Sequence, residues 1–316
     1  MKHLIGSLIL AAVAAGPAMA QELTKLRVST IPIIDTLPLQ AAIKLGYFEE
    51  AGLEIDTTPT AGGAVGLPAL AAGAVQFAFS NCVSIALGAS QDLGFKVVAA
   101  GSFTAETSPD IAGIVAKPGA GLSTGADMTD KRIAVNTRNN IIWLYAKAWV
   151  DATGGDSDSV TYLEVPFPQM LDAVAGDQVD AAFVVDPFLT VGTSGGKVEL
   201  VGYPYSEIQP SIPVGMYATT ETFMQENPET VAAFVEAYNR GVDWANENAG
   251  TPEWAEIIAG YTRLTPEMLG ELQVLPFHKT IDPAALQPTL DLMAKYGLVD
   301  TPYPATDLLA DSVRAE

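Results

Sequence analysis

The sequence predicts an α/β protein made of two similar lobes, and three observations predict it. Short apolar runs alternate with helical ones along most of the chain. The alternation occurs twice, with matching spacing. The runs are continuously apolar, as parallel strands buried on both faces are. Length agrees: at roughly 150 residues per domain, 316 residues hold two units. With 49% hydrophobic and 17% charged residues, the chain can bury a sizeable core.

In the first copy, residues 26–30 read as a buried strand and 31–36 as a turn-rich link. A helix over 37–45 stops at Gly46, and 53–57 is the second strand. Gly62 and Gly63 open a helix through Leu70, 75–79 is a third strand, and 95–101 a fourth. In the second copy the strands are 132–135, 160–163 and 179–185. Its helices are 140–151 and 169–175, stopped by Gly154 and Gly176. Strand centres at Val28, Ile55 and Phe77 match centres at Ala134, Tyr162 and Ala182 in separation. Two copies are too few for a solenoid. The apolar runs 110–116 and 211–219 read as crossovers joining the lobes, with hinges near Ile114-Val115 and Pro213-Val214. From Thr220 the pattern is helical, with Pro228 placed near a helix start.

The ends and the composition narrow the function. Lys2 and His3, an apolar run over 4–15, and Ala18-Met19-Ala20 form a secretory leader, with cleavage expected after Ala20. The run is too short for a permanent membrane span. Cys82 is the single cysteine, so no intramolecular disulfide can form, and it reads as a small buried hydrophobe. Once the leader is gone, His278 is the single histidine, so no zinc-type cluster is visible and no cofactor is expected. A net charge of -21 repels phosphate backbones and excludes a nucleic-acid partner. Gly62-Gly63 lacks the Lys-Ser/Thr of a P-loop, and no nucleophile stands against a base, so catalysis is not expected.

Several local phrases carry a family resemblance. Residues 45–53, LGYFEEAGL, are similar to a recurrent stretch of the nitrate/sulfonate/taurine/thiamine-precursor binding proteins of ABC importers. Leu70-Ala71-Ala72-Gly73, and Val179-Asp180-Ala181-Ala182 with Asp186-Pro187-Phe188, resemble two further signatures of that family; Asp186 stands where members often carry Glu. The resemblance covers most of 26–217. It implies a type II periplasmic binding fold with two hinged crossovers and C-terminal helices. It also implies a monomer in the periplasm that hands a small solute to a permease and ATPase complex. The expected division is a leader at 1–20, a first lobe begun by 21–115, a second lobe at 116–212, and a return to the first lobe with the C-terminal helices at 213–316. An enzyme or sensor input module acting on a small heterocycle or pyrimidine on the same fold is the alternative.

In open α/β sheets the ligand crevice lies outside the carboxyl ends of the strands. Those ends nominate Asp35, Ser80, Asn81 and Phe103 in the first lobe, and Thr137, Arg138, Asn139, Asn140, Phe167 and Asp186 in the second. Each has a plainer reading. Asp35, Ser80 and Asn81 can cap helices, Asp186-Pro187 can start one, and Phe103 and Phe167 can pack between lobes. Trp143, Tyr145 and Trp149 read as packing residues. Residues 137–140, between a strand and a helix, offer backbone N–H groups and an Arg138 fork suited to an anionic, sulfonate-like or carboxylate group between Asn81 and Arg138. A surface ion pair of Arg138 is the plainer alternative, and a cationic ligand held by Asp35 and Asp186 is the chemical opposite.

Overall fold

Two five-stranded sheets divide the strands of a computed structural model, which describes residues 22–315 except 263, 270, 271 and 273. The leader expected at 1–20 lies outside the described residues. The first sheet contains β1 (Thr24–Thr30), β2 (Leu53–Pro59), β3 (Phe77–Asn81), β4 (Phe95–Ala100) and β10 (Gly215–Thr220), in the order β2-β1-β3-β10-β4. The second contains β5 (Ala112–Ala116), β6 (Arg132–Val135), β7 (Thr161–Glu164), β8 (Ala181–Val185) and β9 (Glu199–Gly202), in the order β7-β6-β8-β5-β9. Each sheet has a parallel core and one inserted antiparallel strand, β10 in the first and β5 in the second. The two sheets therefore share one topology. This is a type II periplasmic binding fold.

The inserted strands correct one expectation. Residues 112–116 and 215–220 do not run between the lobes; each is a fully paired member of a sheet. Ile114 and Val115 are wholly buried in the middle of β5, where no hinge can sit, and the second sheet already begins at Ala112. The connecting segments are instead 101–111 and 203–214, and they run antiparallel to each other. Val214 N–H donates to the Ser102 carbonyl (3.0 Å), Thr104 N–H to the Ile212 carbonyl (3.0 Å), and Ile212 N–H to Thr104 Oγ1 (2.8 Å). Pro213 and Val214 do fall there.

Helices cover both sheets. In the first half they are α1 (Leu37–Lys44), α2 (Tyr47–Glu50), α3 (Gly63–Ala71) and α4 (Cys82–Ala89). The second half has α5 (Ile141–Ala152), α6 (Phe167–Ala175), α7 (Phe188–Ser194) and the short α8 (Pro204–Ile208) inside the second connection. The C-terminal part adds α9 (Glu221–Glu226), α10 (Pro228–Glu247), α11 (Pro252–Thr262), α12 (Pro283–Lys295) and α13 (Ala305–Leu308). Pro228 occupies the first turn of α10, where its missing N–H leaves no bond unmade. Phe234 of α10 stacks on Phe77 of β3 at 3.8 Å, sealing the first core. No described helix is long and apolar enough to cross a membrane.

The C-terminal segment ties the lobes together. Leu309 and Ala310 join the edge of β4, so its end belongs to the first sheet. In between, α12 reaches the second lobe: Thr289 Oγ1 bonds the Tyr145 hydroxyl (2.8 Å), and just beyond the helix the Tyr296 hydroxyl donates to Asp151 (2.8 Å).

Candidate functional site

The carboxyl ends of both sets of strands meet at one small cavity between the lobes. Ile31, Ile33, Asp35, Phe79 and Asn81 line it from the first lobe. Asn136, Asn140, Ile141, Phe167 and Val185 line it from the second, and Tyr205 and Val214 from the second connection. Its volume is about 40 Å³, room for a few water molecules. Pockets for drug-sized ligands start at roughly 300 Å³. The lobes are thus closed on each other around this space.

Asn81 is buried at the end of β3, where the strand turns directly into α4. Its Oδ1 accepts from Ser84 N–H (3.0 Å), capping α4, and from Ile141 N–H of α5 across the cleft (3.3 Å). Both oxygen lone pairs are thereby used, while its Nδ2 is left as a donor beside the cavity. Asn140 does the corresponding work in the second lobe. Its Oδ1 caps α5 at Trp143 N–H (3.1 Å), and its Nδ2 donates to Asn136 Oδ1 (2.8 Å). That bond uses the Asn136 oxygen and leaves its Nδ2 beside Gly62 of the first lobe. Gly63 sits so close that an added Cβ would lie 2.6 Å from the Ser80 backbone.

Asp35 is 3% exposed in a tight turn after β1, and its carboxylate caps no helix. The Ser102 hydroxyl of the first connection donates to its Oδ1. Burial raises the Asp35 carboxyl to about 6, against the pull of that bond. Asp186, 1% exposed, faces it from the second lobe, where Ile34 N–H donates to the Asp186 carbonyl (3.3 Å). The Asp186 Oδ1 accepts from Thr190 N–H (3.0 Å) and Thr190 Oγ1 (2.9 Å), so it does anchor a helix start as well. Burial, with the charges of Asp35 and Asp110 added, lifts Asp186 to about 7. Asp110, accepting from Ala105, Ile111 and Ser206 N–H, is also raised by burial. Three carboxyls thus gather at the lobe junction, and no Lys, Arg or His is among the described residues lining the cavity.

The other nominated residues divide. Phe167 forms a cavity wall at 3% exposure. Ser80 is fully buried beneath Gly63, off the cavity, and its hydroxyl has no partner among the described residues. Phe103 packs on His278 with ring centroids 4.1 Å apart, outside the cavity lining. Thr137 is half-buried against Gly62. Arg138 and Asn139 are exposed on an outer groove of the second lobe. Asn139 has a left-handed backbone (φ 59°), which swings the chain outward before Asn140 brings it back. Arg138 lies 4.0 Å from Glu164, whose carboxylate also accepts the Arg138 backbone N–H (2.7 Å). Cys82 is buried and its thiol pushed up to about 12, the behaviour of an inert packing residue. Tyr145 and Trp149 are core residues. Asn136, Ser102 and Tyr205 went unnominated. Counting to the true end of β6 would have found Asn136, whereas Ser102 and Tyr205 belong to connections with no local signal.

Residues 34–251 match the family model described as NMT1/THI5 like. A formylaminopyrimidine-binding protein of Halalkalibacterium halodurans is 24% identical over 215 residues, or 66% of this chain. The aligned region spans 62% of that relative's length. Among solved structures, the alkanesulfonate-binding protein SsuA from Xanthomonas axonopodis pv. citri, bound to MOPS, superposes with a TM-score of 0.77 at 17% identity, covering 93% of this chain and 99% of that one. The periplasmic nitrate-binding protein NrtA from Synechocystis PCC 6803 gives 0.75 at 14% identity, covering 93% and 88%. At these identities the structures speak to the fold.

Proposed function

The chain belongs to the NMT1/THI5-like family, and from that premise we propose that it is the periplasmic solute-binding component of an ABC importer, capturing a small nitrogen-rich heterocycle such as an aminopyrimidine. The observation that carries the solute class is the polar complement of the cavity. A buried acceptor, Asp35, shares the cavity lining with the amide groups of Asn81 and Asn136, among apolar walls from Ile33, Phe79, Ile141 and Phe167. A heterocycle with a ring N–H or amino group beside a ring nitrogen or carbonyl meets all of these at once. A cationic amino group gains further, because it neutralises the carboxyl of Asp35 in a cavity that no described Lys, Arg or His lines. The named ligand of the Halalkalibacterium relative is of this class.

An anion held at 137–140 has less to recommend it. Arg138 is solvated and paired with Glu164, and the first N–H of α5 is already bonded to Asn81. The deciding experiment is calorimetric titration with formylaminopyrimidine, ethanesulfonate and nitrate. Tight binding of the pyrimidine, with the other two silent, is the expected outcome. A preference for either anion returns the site to Arg138 and overturns the solute class.

A further inference from the structure

Tyr205 is 1% exposed, forms part of the cavity lining, and has a hydroxyl with no hydrogen-bond partner among the described residues. A buried hydroxyl left unpaired costs stability, so its persistence calls for a reason. The neighbouring Tyr145 shows the contrast. Its hydroxyl meets Gln209 Oε1 and Thr289 Oγ1, both at 2.8 Å.

The helix that carries Tyr205 is held from several sides. Glu207 accepts from the Trp149 indole (2.6 Å) and from Tyr203 N–H (2.7 Å). Ser206 N–H donates to Asp110 of the other connection (3.2 Å), and Gln209 bonds Ala285 of α12 (3.0 Å). The Tyr205 ring is fixed between Tyr145 and Phe183, each with its centroid 5.1 Å away. Nothing in this arrangement uses the hydroxyl, yet everything in it fixes where the hydroxyl points. Burial and then the charge of Asp35 keep the phenol well above its ordinary range, so it is a neutral donor and acceptor.

We infer that Tyr205 is a specificity-determining ligand contact, its hydroxyl completing a polar set with Asp35 on the bound solute. The inference rests on the cleft being the solute site. Because Tyr205 stands on the second connection and its neighbour Ser206 is bonded to the first, the same contact links occupancy to the segments that must bend.

The test compares Tyr205→Phe with Tyr145→Phe and wild type. Without ligand, Y205F should melt at or slightly above the wild-type temperature, since it deletes an unpaired hydroxyl, whereas Y145F should melt lower. Titrated with formylaminopyrimidine, Y205F should bind about tenfold or more weakly. A ligand-free Y205F that melts several degrees low, or an unchanged dissociation constant, overturns the inference. If wild type takes ethanesulfonate or nitrate instead, the pyrimidine reading falls. The same Y205F comparison made with that ligand then decides the role of Tyr205.

Discussion

One side-chain oxygen, Asn81 Oδ1, accepts from the N-termini of two helices in different lobes: Ser84 N–H of its own α4 and Ile141 N–H of α5. Two positive helix ends therefore converge on one carboxamide at the cavity wall. A single bond across the cleft couples the capping of the first lobe to the closed position of the second.

Asn81→Ala should therefore do two separable things. Loss of the α4 cap lowers stability by about 1 kcal/mol, visible in denaturant melts. Loss of the bond to Ile141 and of the Nδ2 donor should weaken formylaminopyrimidine binding by about tenfold or more, at roughly 1.4 kcal/mol per decade. A variant that loses stability but keeps full affinity would show that Asn81 is a cap and nothing else.

Acidity at the lobe junction sets a pH dependence. Asp35 and Asp186 hold their protons more tightly in the fold than in the unfolded chain, at about 6 and about 7 against an ordinary 3.8. Folding takes up protons between these limits. The associated stability is fully present below about pH 4 and is lost as pH rises through 6 and then 7. The carboxylates held low, Asp127, Asp151 and Asp180, act in the opposite sense, as pH falls below their ordinary value, and leave this window alone. Wild type should melt lower at pH 8 than at pH 5, and Asp186→Asn, which keeps an oxygen for Thr190, should flatten the slope. Parallel slopes in the two proteins would rule the junction out as the source.

Arg138→Ala should leave affinity within about threefold and stability within about 1 kcal/mol, the ceiling for an exposed ion pair. Its guanidinium is largely solvated beside Glu164, and the backbone bond to Glu164 survives the substitution. A thirtyfold loss of affinity would mean that Arg138 turns into the cleft when ligand is bound.

The architecture was legible because it is periodic. Apolar runs with matched spacing around Val28 and Ala134 mark two equivalent parallel cores. What misled was 112–116 and 215–220, apolar runs between turns, like a passing segment. Nothing local distinguishes a strand that inserts antiparallel into a sheet assembled from distant residues, since register is fixed by partners far along the chain. In the site, strand ends pointed to Asp35, Asn81, Asn140 and Phe167, because topology puts loops there whatever their sequence. Arg138 lies off the cavity lining for a conformational reason: the left-handed Asn139 directs 138–139 to solvent and only Asn140 inward. Tyr205 was beyond reach, since a connection takes its course from the two lobes it joins.

Gly63 tests how closely α3 must sit on β3. An alanine Cβ there would meet the Ser80 Cα and Oγ at 2.6 Å, and the former is backbone that cannot swing aside. Gly63→Ala should push the helix off the strand, with the 1–3 kcal/mol typical of overpacking, and widen the cavity wall, with weaker binding. Unchanged melting would mean that the strand–helix spacing yields more easily than the contacts indicate.

Closure is the last expectation, and the cavity itself requires it. A space of about 40 Å³ cannot admit a six-membered ring, so the lobes must part for loading. The two connections can bend together at 102–104 and 212–214, where three hydrogen bonds join them side by side. Thr104 contributes its hydroxyl to one of these, bonding Ile212 N–H within the pair. Thr104→Val keeps the shape and removes that bond, leaving a buried N–H unpaired. It should loosen the pair and favour the open form, lowering apparent affinity in proportion to the closed fraction. Small-angle scattering should give a larger radius without ligand than with formylaminopyrimidine at saturation, and the difference should persist in the variant at higher ligand. Identical radii in wild type with and without bound solute would make this cleft a static pocket, and the volume would then have to come from side-chain movement alone.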